Sequence, residues 1–245
     1  MKGLLIRVGV DQEYGGWNAP VDMGSRRFVY VPIPDGREKE YRLGCRRDYQ
    51  PIAEALREFA TLVDGPGDSR PSLPTLLATR FAHLDPDFEH LTYGDNGERR
   101  GLAIKKMGPG DILAFYAGLR SIGDHHRLVY ALIGLYVIRR VVPARSVVRE
   151  HFDQNAHTRW STISMKDVIV WAEPGLSGRL ERCIPIGEWR ARAYRVRKDI
   201  LSAWGGLRVK DGYIQRSIRP PAFEKAETFY LWFRSQGVSL VRKNN

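Results

Sequence analysis

Cysteine is scarce in this chain. Cys45 and Cys183 are the only two thiols in 245 residues, and they form no CxxC pair. That spacing argues against a disulfide framework and a cysteine-ligated zinc site, and predicts reduced thiols in a cytoplasmic protein. Also missing is any apolar run near the roughly 20 residues that cross a bilayer. The N-terminal run in MKGLLIRVGVDQ is cut by Arg7, too early for the core of a signal peptide, so no membrane partner is expected. Neither GxGxxG nor GxxxxGK[ST] occurs, which removes the two common glycine-rich phosphate cradles. No serine or cysteine is accompanied by a recognisable base, so covalent hydrolysis has no candidate nucleophile. Internal repeats and low-complexity tracts are lacking too. Only DGPGDSRPSLPT, 64–75, has linker composition, and a surface loop explains it equally well, so one domain over 1–245 is expected.

Positive charge, by contrast, is abundant. The chain carries 39 Lys+Arg against 28 Asp+Glu, a formal +11 with a pI near 9.8. Such an excess attracts polyanions. It is concentrated in 179–219, where nine arginines and two lysines face four acidic residues. Guanidinium binds phosphate through a planar fork, so Arg190, Arg192, Arg195 and Arg197 are candidate nucleic-acid contacts. A solvated arginine-rich face is the plainer reading.

Periodicity supplies the elements. KGLLIRVGV reads as a strand, and RRFVYVPIP as a second that forms a hairpin-like unit with it through EYGGWNAP. DYQPIAEALREFATLVDG reads as a helix with Ile52, Leu56, Phe59 and Val63 on one face and Gly65 at its end. DILAFYAGL and RLVYALIGLYVIRRVV read as a buried antiparallel pair at the centre of the core, and KDVIVWAEP as a further strand. ARSVVREHFDQNAH reads as a short helix, WRARAYRV as a strand, and RKDILSAWGG and PPAFEKAETFYLWFRSQG as helices, the last with Phe229, Trp232 and Phe233 on its apolar stripe. Strands and helices do not alternate regularly, so the expected class is α+β, a mostly antiparallel sheet with three or four peripheral helices.

The chemistry candidates lie outside these elements. In AHLDPDFEH, an extended chain would point His83, Asp85 and Asp87 to one side, a set suited to a divalent cation or to metal-free acid/base work. Alternatively Asp85 is a helix N-cap, Pro86 the first helical residue and Asp87 a charge on the helix dipole. Asp11, ahead of the Gly15-Gly16 turn, is either a carboxylate open to substrate or an Asx turn. Trp17 and Asn18 could offer a base a stacking face and an edge partner, and HFDQNAHTRW offers His151, Asn155, His157, Arg159 and Trp160 in ten residues, a composition that a polar helix end and loop would also produce.

Taken in order, VGVDQEYGGWNAPVDMGSRRFVYVPIP, AHLDPDF, GPGDILAFYAGLR with YALIGLYVI, and ILSAWGGL resemble the third family of nucleotide modification associated domains. The blocks matched are Asp11, Gly15 and Gly16; Pro32-Ile33-Pro34; His83-Leu84-Asp85-Pro86-Asp87; and Gly110-Asp111. A tryptophan of the family's pattern is Gly118 or Leu119 here. The resemblance implies a protein of a nucleic-acid base-modification system, with DNA as the expected partner. Asp11, His83, Asp85 and Asp87 would then be the chemical groups, although neither a cofactor, a metal nor a reaction class is implied. The GDILAFYAGL and LVYALIGLYVI pair is also similar to the core hairpin of PUA-like barrels such as the ASCH and EVE domains. That resemblance implies instead a non-catalytic reader of modified bases in DNA or RNA, with Trp17, Trp160 and Trp171 as pocket candidates.

Overall fold

The sheet begins at a turn that its own sequence closes. Asp111 accepts hydrogen bonds from the Gly108 amide at 3.0 Å and the Lys2 amide at 2.7 Å, while Gly110 takes a positive φ of 82° that suits glycine. The computed structural model describes residues 1–11, 16–36, 39–62, 71–98, 101–124, 127–215 and 219–245. Its strands are β1 (Gly3–Arg7), β2 (Pro20–Val21), β3 (Thr92–Asn96), β4 (Ile112–Ser121), β5 (Leu128–Pro143), β6 (Asp167–Ala172), β7 (Gly178–Pro185), β8 (Gly187–Arg190), β9 (Ala193–Val196) and β10 (Leu240–Val241). The helices are α1 (Gln50–Leu62), α2 (Thr75–Ala78), α3 (Gly101–Ile104), α4 (Ala156–Arg159), α5 (Lys198–Ala203) and α6 (Ala226–Ser235).

Antiparallel β4 and β5 form the spine, as their apolar runs predict. Both faces of this pair are buried. One face carries Leu113, Phe115, Ala117 and Ile133 and packs under α1; the other carries Ile112, Ala114, Tyr116 and Leu132 and packs against Ile200 of α5 and Phe229 of α6. A one-residue shift in β5 would exchange these faces. The register does shift at Gly134, and Tyr136 and Ile138 continue the first face after it while Leu135 and Val137 continue the second. This bulge keeps 16 residues of strand in one apolar frame. It needs a glycine, because a Cβ at 134 would lie 2.4 Å from the Phe88 ring.

Past the bulge the sheet divides. The first half of β5 pairs with β7, which carries β10, and the second half pairs with β6, which carries β3. Only β1 and β2 run parallel to their neighbour β4. The result is a mixed fold with a large, mostly antiparallel sheet. No closed barrel forms among the described strands, and the PUA-like core is not confirmed.

Several expectations need correction. The first strand pairs with β4, not with RRFVYVPIP, which makes only isolated bridges at Phe28 and Pro34. Pro32 and Pro34 lack the amide donors a ladder needs, though Val29, Tyr30 and Val31 are still core residues. WRARAYRV folds back on itself as the β8–β9 hairpin. ARSVVREHFDQNAH forms two 3-10 segments before α4. Of the expected helices, α1, α5 and α6 are present, with Ile52, Leu56 and Phe59 buried in α1 and Phe229 and Phe233 in α6. Val63 and Gly65, and Gly15 of the opening turn, lie outside the described residues. No helix among the described residues is long and apolar enough to cross a membrane.

Candidate functional site

No helix starts at Asp85, so the capping reading of HLDPD is overturned. The segment 82–91 is a succession of bends and turns with a cis Asp85–Pro86 peptide. Asp85 uses its carboxylate across the fold instead: Oδ1 accepts from the Gly94 amide of β3 at 2.7 Å. Its other oxygen, Oδ2, faces two imidazoles. His83 Nε2 lies 3.8 Å from it and His157 Nε2 3.6 Å.

Each imidazole is held from behind by a second carboxylate. His83 Nδ1 is 2.7 Å from Asp35 Oδ1, and His157 Nδ1 is 2.7 Å from Asp167 Oδ2. With Nδ1 engaged by a carboxylate, the ring turns its Nε2 toward Asp85 and stays there. Local structure sets the positions. Asn155 caps α4 by accepting from the His157 amide at 2.9 Å, which fixes His157 in the first turn. Asp167 opens β6 beside β3. Trp160 stacks on His83 with ring centres 5.6 Å apart and leans on His157.

The electrostatics follow from these contacts. Burial favours neutral His157, yet hydrogen bonds to Asp167 and Asp85, and their charges, raise it to about 9. Burial likewise opposes ionisation of Asp35, and the bonds from His83 and Tyr41 outweigh it and hold the carboxyl below its ordinary range. Asp35, Asp85 and Asp167 are only 4%, 5% and 3% exposed at their side chains. Among the described residues no lysine or arginine pairs with any of the three.

Positive charge lies just outside. The 39–42 segment runs against 159–161, with Lys39 Nζ 3.7 Å from the centre of the Trp160 ring and the Arg42 amide bonded to the Arg159 carbonyl. Arg46 sits over Phe81 at 5.0 Å, and Arg80 donates to the Asp35 carbonyl. Glu40 is the acidic member of this rim.

Of the residues expected at a site, His83 and Asp85 come together with Trp160 against them, and Asp11, Asp87, Asn18 and Arg159 make their contacts elsewhere. Asp87 is 1% exposed and turned inward, where it accepts from Arg159 at 2.5 Å, Asn244 at 3.1 Å and His90 at 3.1 Å. Arg159, 2% exposed, is therefore a buried counter-ion with no access to phosphate, a correction of its expected role. Asn18 is also buried and donates to the Gly118 carbonyl at 2.8 Å, so its amide cannot meet a base edge. Trp17 packs against the core. Trp160 is a wall of the site rather than an open stacking face, since His83, His157 and Lys39 already engage its ring.

Asp11 pairs with Arg7 at 3.1 Å, and Arg7 reaches the Tyr130 hydroxyl. His157 lies against Gly94, which β6 connects to Val142. Tyr130 and Val142 stand near opposite ends of β5, so Asp11 contacts a different part of the sheet from the histidine cluster. The basic hairpin belongs to the Asp11 end as well, because Tyr194 of β9 stacks on Tyr130 at 4.4 Å. There Arg190 pairs with Glu188 and Asp211, Arg195 with Asp211 and Arg197 with Asp199. Arg192 is exposed at the hairpin tip.

Sequence reasoning noted His157 only as one member of HFDQNAHTRW, without a role, and missed Asp35 and Asp167. A histidine two residues after an asparagine, in a stretch with helix-end composition, was one available signal; an aspartate directly after Pro32-Ile33-Pro34 was another. Neither reveals its partner. A family model described as nucleotide modification associated domain 3 matches residues 2–205, a span that contains all five side chains of the cluster. No curated protein and no solved structure shows a significant match.

Proposed function

The chain belongs to the nucleotide modification associated domain 3 family, and we propose that it is an enzyme of a nucleotide-modification system whose reacting centre is His83, Asp85 and His157. The observation that carries this reading is the convergence of two imidazole Nε2 atoms on one carboxylate oxygen, each ring aimed by its own buried aspartate. Packing alone does not call for two aspartate–histidine pairs meeting head to head. An imidazole so held can take or give a proton at Nε2 while the aspartate behind it fixes the tautomer. The substrate is a nucleotide or a base in nucleic acid, with DNA the preferred form, and the cations of Lys39, Arg42, Arg46 and Arg80 lie where they can meet its phosphates.

The alternative, a non-catalytic reader of modified bases, draws less support. Its three tryptophan candidates are engaged: Trp17 by the core, Trp160 by the histidines and Trp171 by Arg140. Mass spectrometry of nucleosides from DNA, RNA and free pools, in cells producing the native chain or Asp85→Asn, tests the choice. A nucleoside that changes with the native chain only, while nucleic-acid binding by the variant is retained, is the expected result. Unchanged nucleosides together with weakened binding by the variant would favour the reader.

A further inference from the structure

We infer that His83 Nε2, His157 Nε2 and Asp85 Oδ2 are the three protein ligands of one divalent, zinc-class metal ion, with Asp35 and Asp167 as positioning residues behind the two imidazoles. The inference rests on the same cluster being the functional centre, and it replaces proton exchange at the two Nε2 atoms by ligation through them. Four observations carry it. One donor atom from each of the three residues lies within 4.8 Å of the others. The donors are two nitrogens and one oxygen, a set that suits zinc and its first-row neighbours and leaves a coordination position open. Both histidines show the carboxylate–histidine arrangement that aligns metal-bound imidazoles. Finally, three buried carboxylates gather without a lysine or arginine partner among the described residues, so the cluster has an excess of negative charge that a divalent cation offsets.

Distance selects the geometry. Ligands about 2.1 Å from a tetrahedral ion stand about 3.4 Å apart, and those of an octahedral ion about 3.0 Å apart. The observed 3.6 and 3.8 Å are nearer the tetrahedral value. Asp85 is already committed to one-oxygen ligation, because Oδ1 is held by the Gly94 amide. A fourth position would take water or an oxygen or nitrogen of the substrate. An ion there supplies Lewis acidity beside a cationic rim.

The test is a titration of the full chain, stripped by chelator and free of nucleotide, with zinc followed by calorimetry and with cobalt(II) followed by visible absorption. Expected are one ion per chain and the strong absorption of tetrahedral cobalt. Asp85→Asn and His157→Gln should each weaken binding about 100-fold or more. Asp35→Asn and Asp167→Asn should weaken it about 10- to 100-fold and shift the cobalt bands, which a purely structural role would not do. Circular dichroism identifies any variant that has not folded, and the native titration decides the matter without it. Failure of the folded native chain to take up either metal overturns the inference, as does uptake indifferent to Asp85→Asn and His157→Gln, or a weak octahedral cobalt spectrum. Nucleotide modification by metal-free protein would overturn the metal and leave the proposed function standing. Stoichiometric zinc in a chain that alters no nucleotide would do the opposite.

Discussion

At the residue scale, Gly94 couples two of the site's parts. Its amide donates to Asp85, and the space where its side chain would stand is filled by the His157 ring. A Cβ there would lie 2.4 Å from His157 Cδ2 and 2.7 Å from Asn155 Oδ1. Neither neighbour can retreat easily, since Asp167 holds the ring and Asn155 caps α4. Gly94→Ala should therefore cost about 1–3 kcal/mol of stability by overpacking and displace His157 from Asp85. Denaturant unfolding alongside zinc affinity checks this, and unchanged affinity would show that the ring is not confined as described. Asp87 illustrates the opposite outcome, a sequence candidate that serves stability. Burial raises its carboxyl, but His90 and Arg159 prevail and bring it down to about 2 from the usual 3.8. A depressed carboxylate contributes stability above its unfolded pKa and loses it as pH falls through the folded one. The window is thus pH 4 down to 2, with on the order of 2 kcal/mol at stake. His90 is raised, chiefly by its bond to Asp87, so its own contribution is full below about pH 6.5 and fades above. Melting temperature against pH should fall between 4 and 2 in the native chain and fall less in Asp87→Asn. Arg159→Ala, which removes the buried guanidinium and leaves the Asp87 carboxylate only the His90 and Asn244 side chains, should destabilise by about 3 kcal/mol.

Among elements, what could be read in advance was whatever local pattern determines. The β4–β5 pair announces itself by two long apolar runs around a polar turn, and α1 by Ile52, Leu56 and Phe59 at helical spacing. Partners distant in the chain leave no such trace. His83 and His157 are 74 positions apart, and Asp35 precedes His83 by 48. Only the pairing of β3 with β6 brings Gly94, and with it Asp85, beside Asp167 and His157. HLDPD had a plausible local answer in helix capping; an acceptor role for Asp85 toward the amide of Gly94, on the following strand, displaced it. The β8–β9 hairpin was misread for a related reason. Ala191 and Arg192 both take positive φ, 49° and 60°, at a two-residue turn where Asn-Gly is the usual choice. Alanine and arginine give no turn signal, so WRARAYRV looks continuous. They also hold that conformation at a cost of about 1 kcal/mol or more per residue. The double change Ala191→Asn, Arg192→Gly should raise stability by about 1 kcal/mol, read from the denaturant midpoint; a loss would mean that the turn has another geometry.

Over the whole molecule the question is where a chain of charge +11 would receive a polyanion. A count of arginines points to 179–219, but charge that is already paired attracts phosphate less than charge that is free. Arg190, Arg195 and Arg197 face Glu188, Asp211 and Asp199, so a phosphate must displace a carboxylate to reach them. Lys39 and Arg46 are exposed, rest on aromatic faces, and pair with no carboxylate among the described residues. They also stand beside His83 and Trp160. Each phosphate contact contributes about 0.9 to the slope of log affinity against log salt on duplex DNA. Replacing Lys39 and Arg46 together by glutamate should therefore lower that slope by about 2 and weaken binding at low salt. Reversing Arg190 and Arg195 should change the slope less, because in the native chain their charge is already offset by Glu188 and Asp211. Fluorescence anisotropy with one labelled duplex across a salt series measures both variants under the same conditions. A larger loss for the hairpin pair would move the nucleic-acid face to the β8–β9 hairpin, away from the histidine cluster.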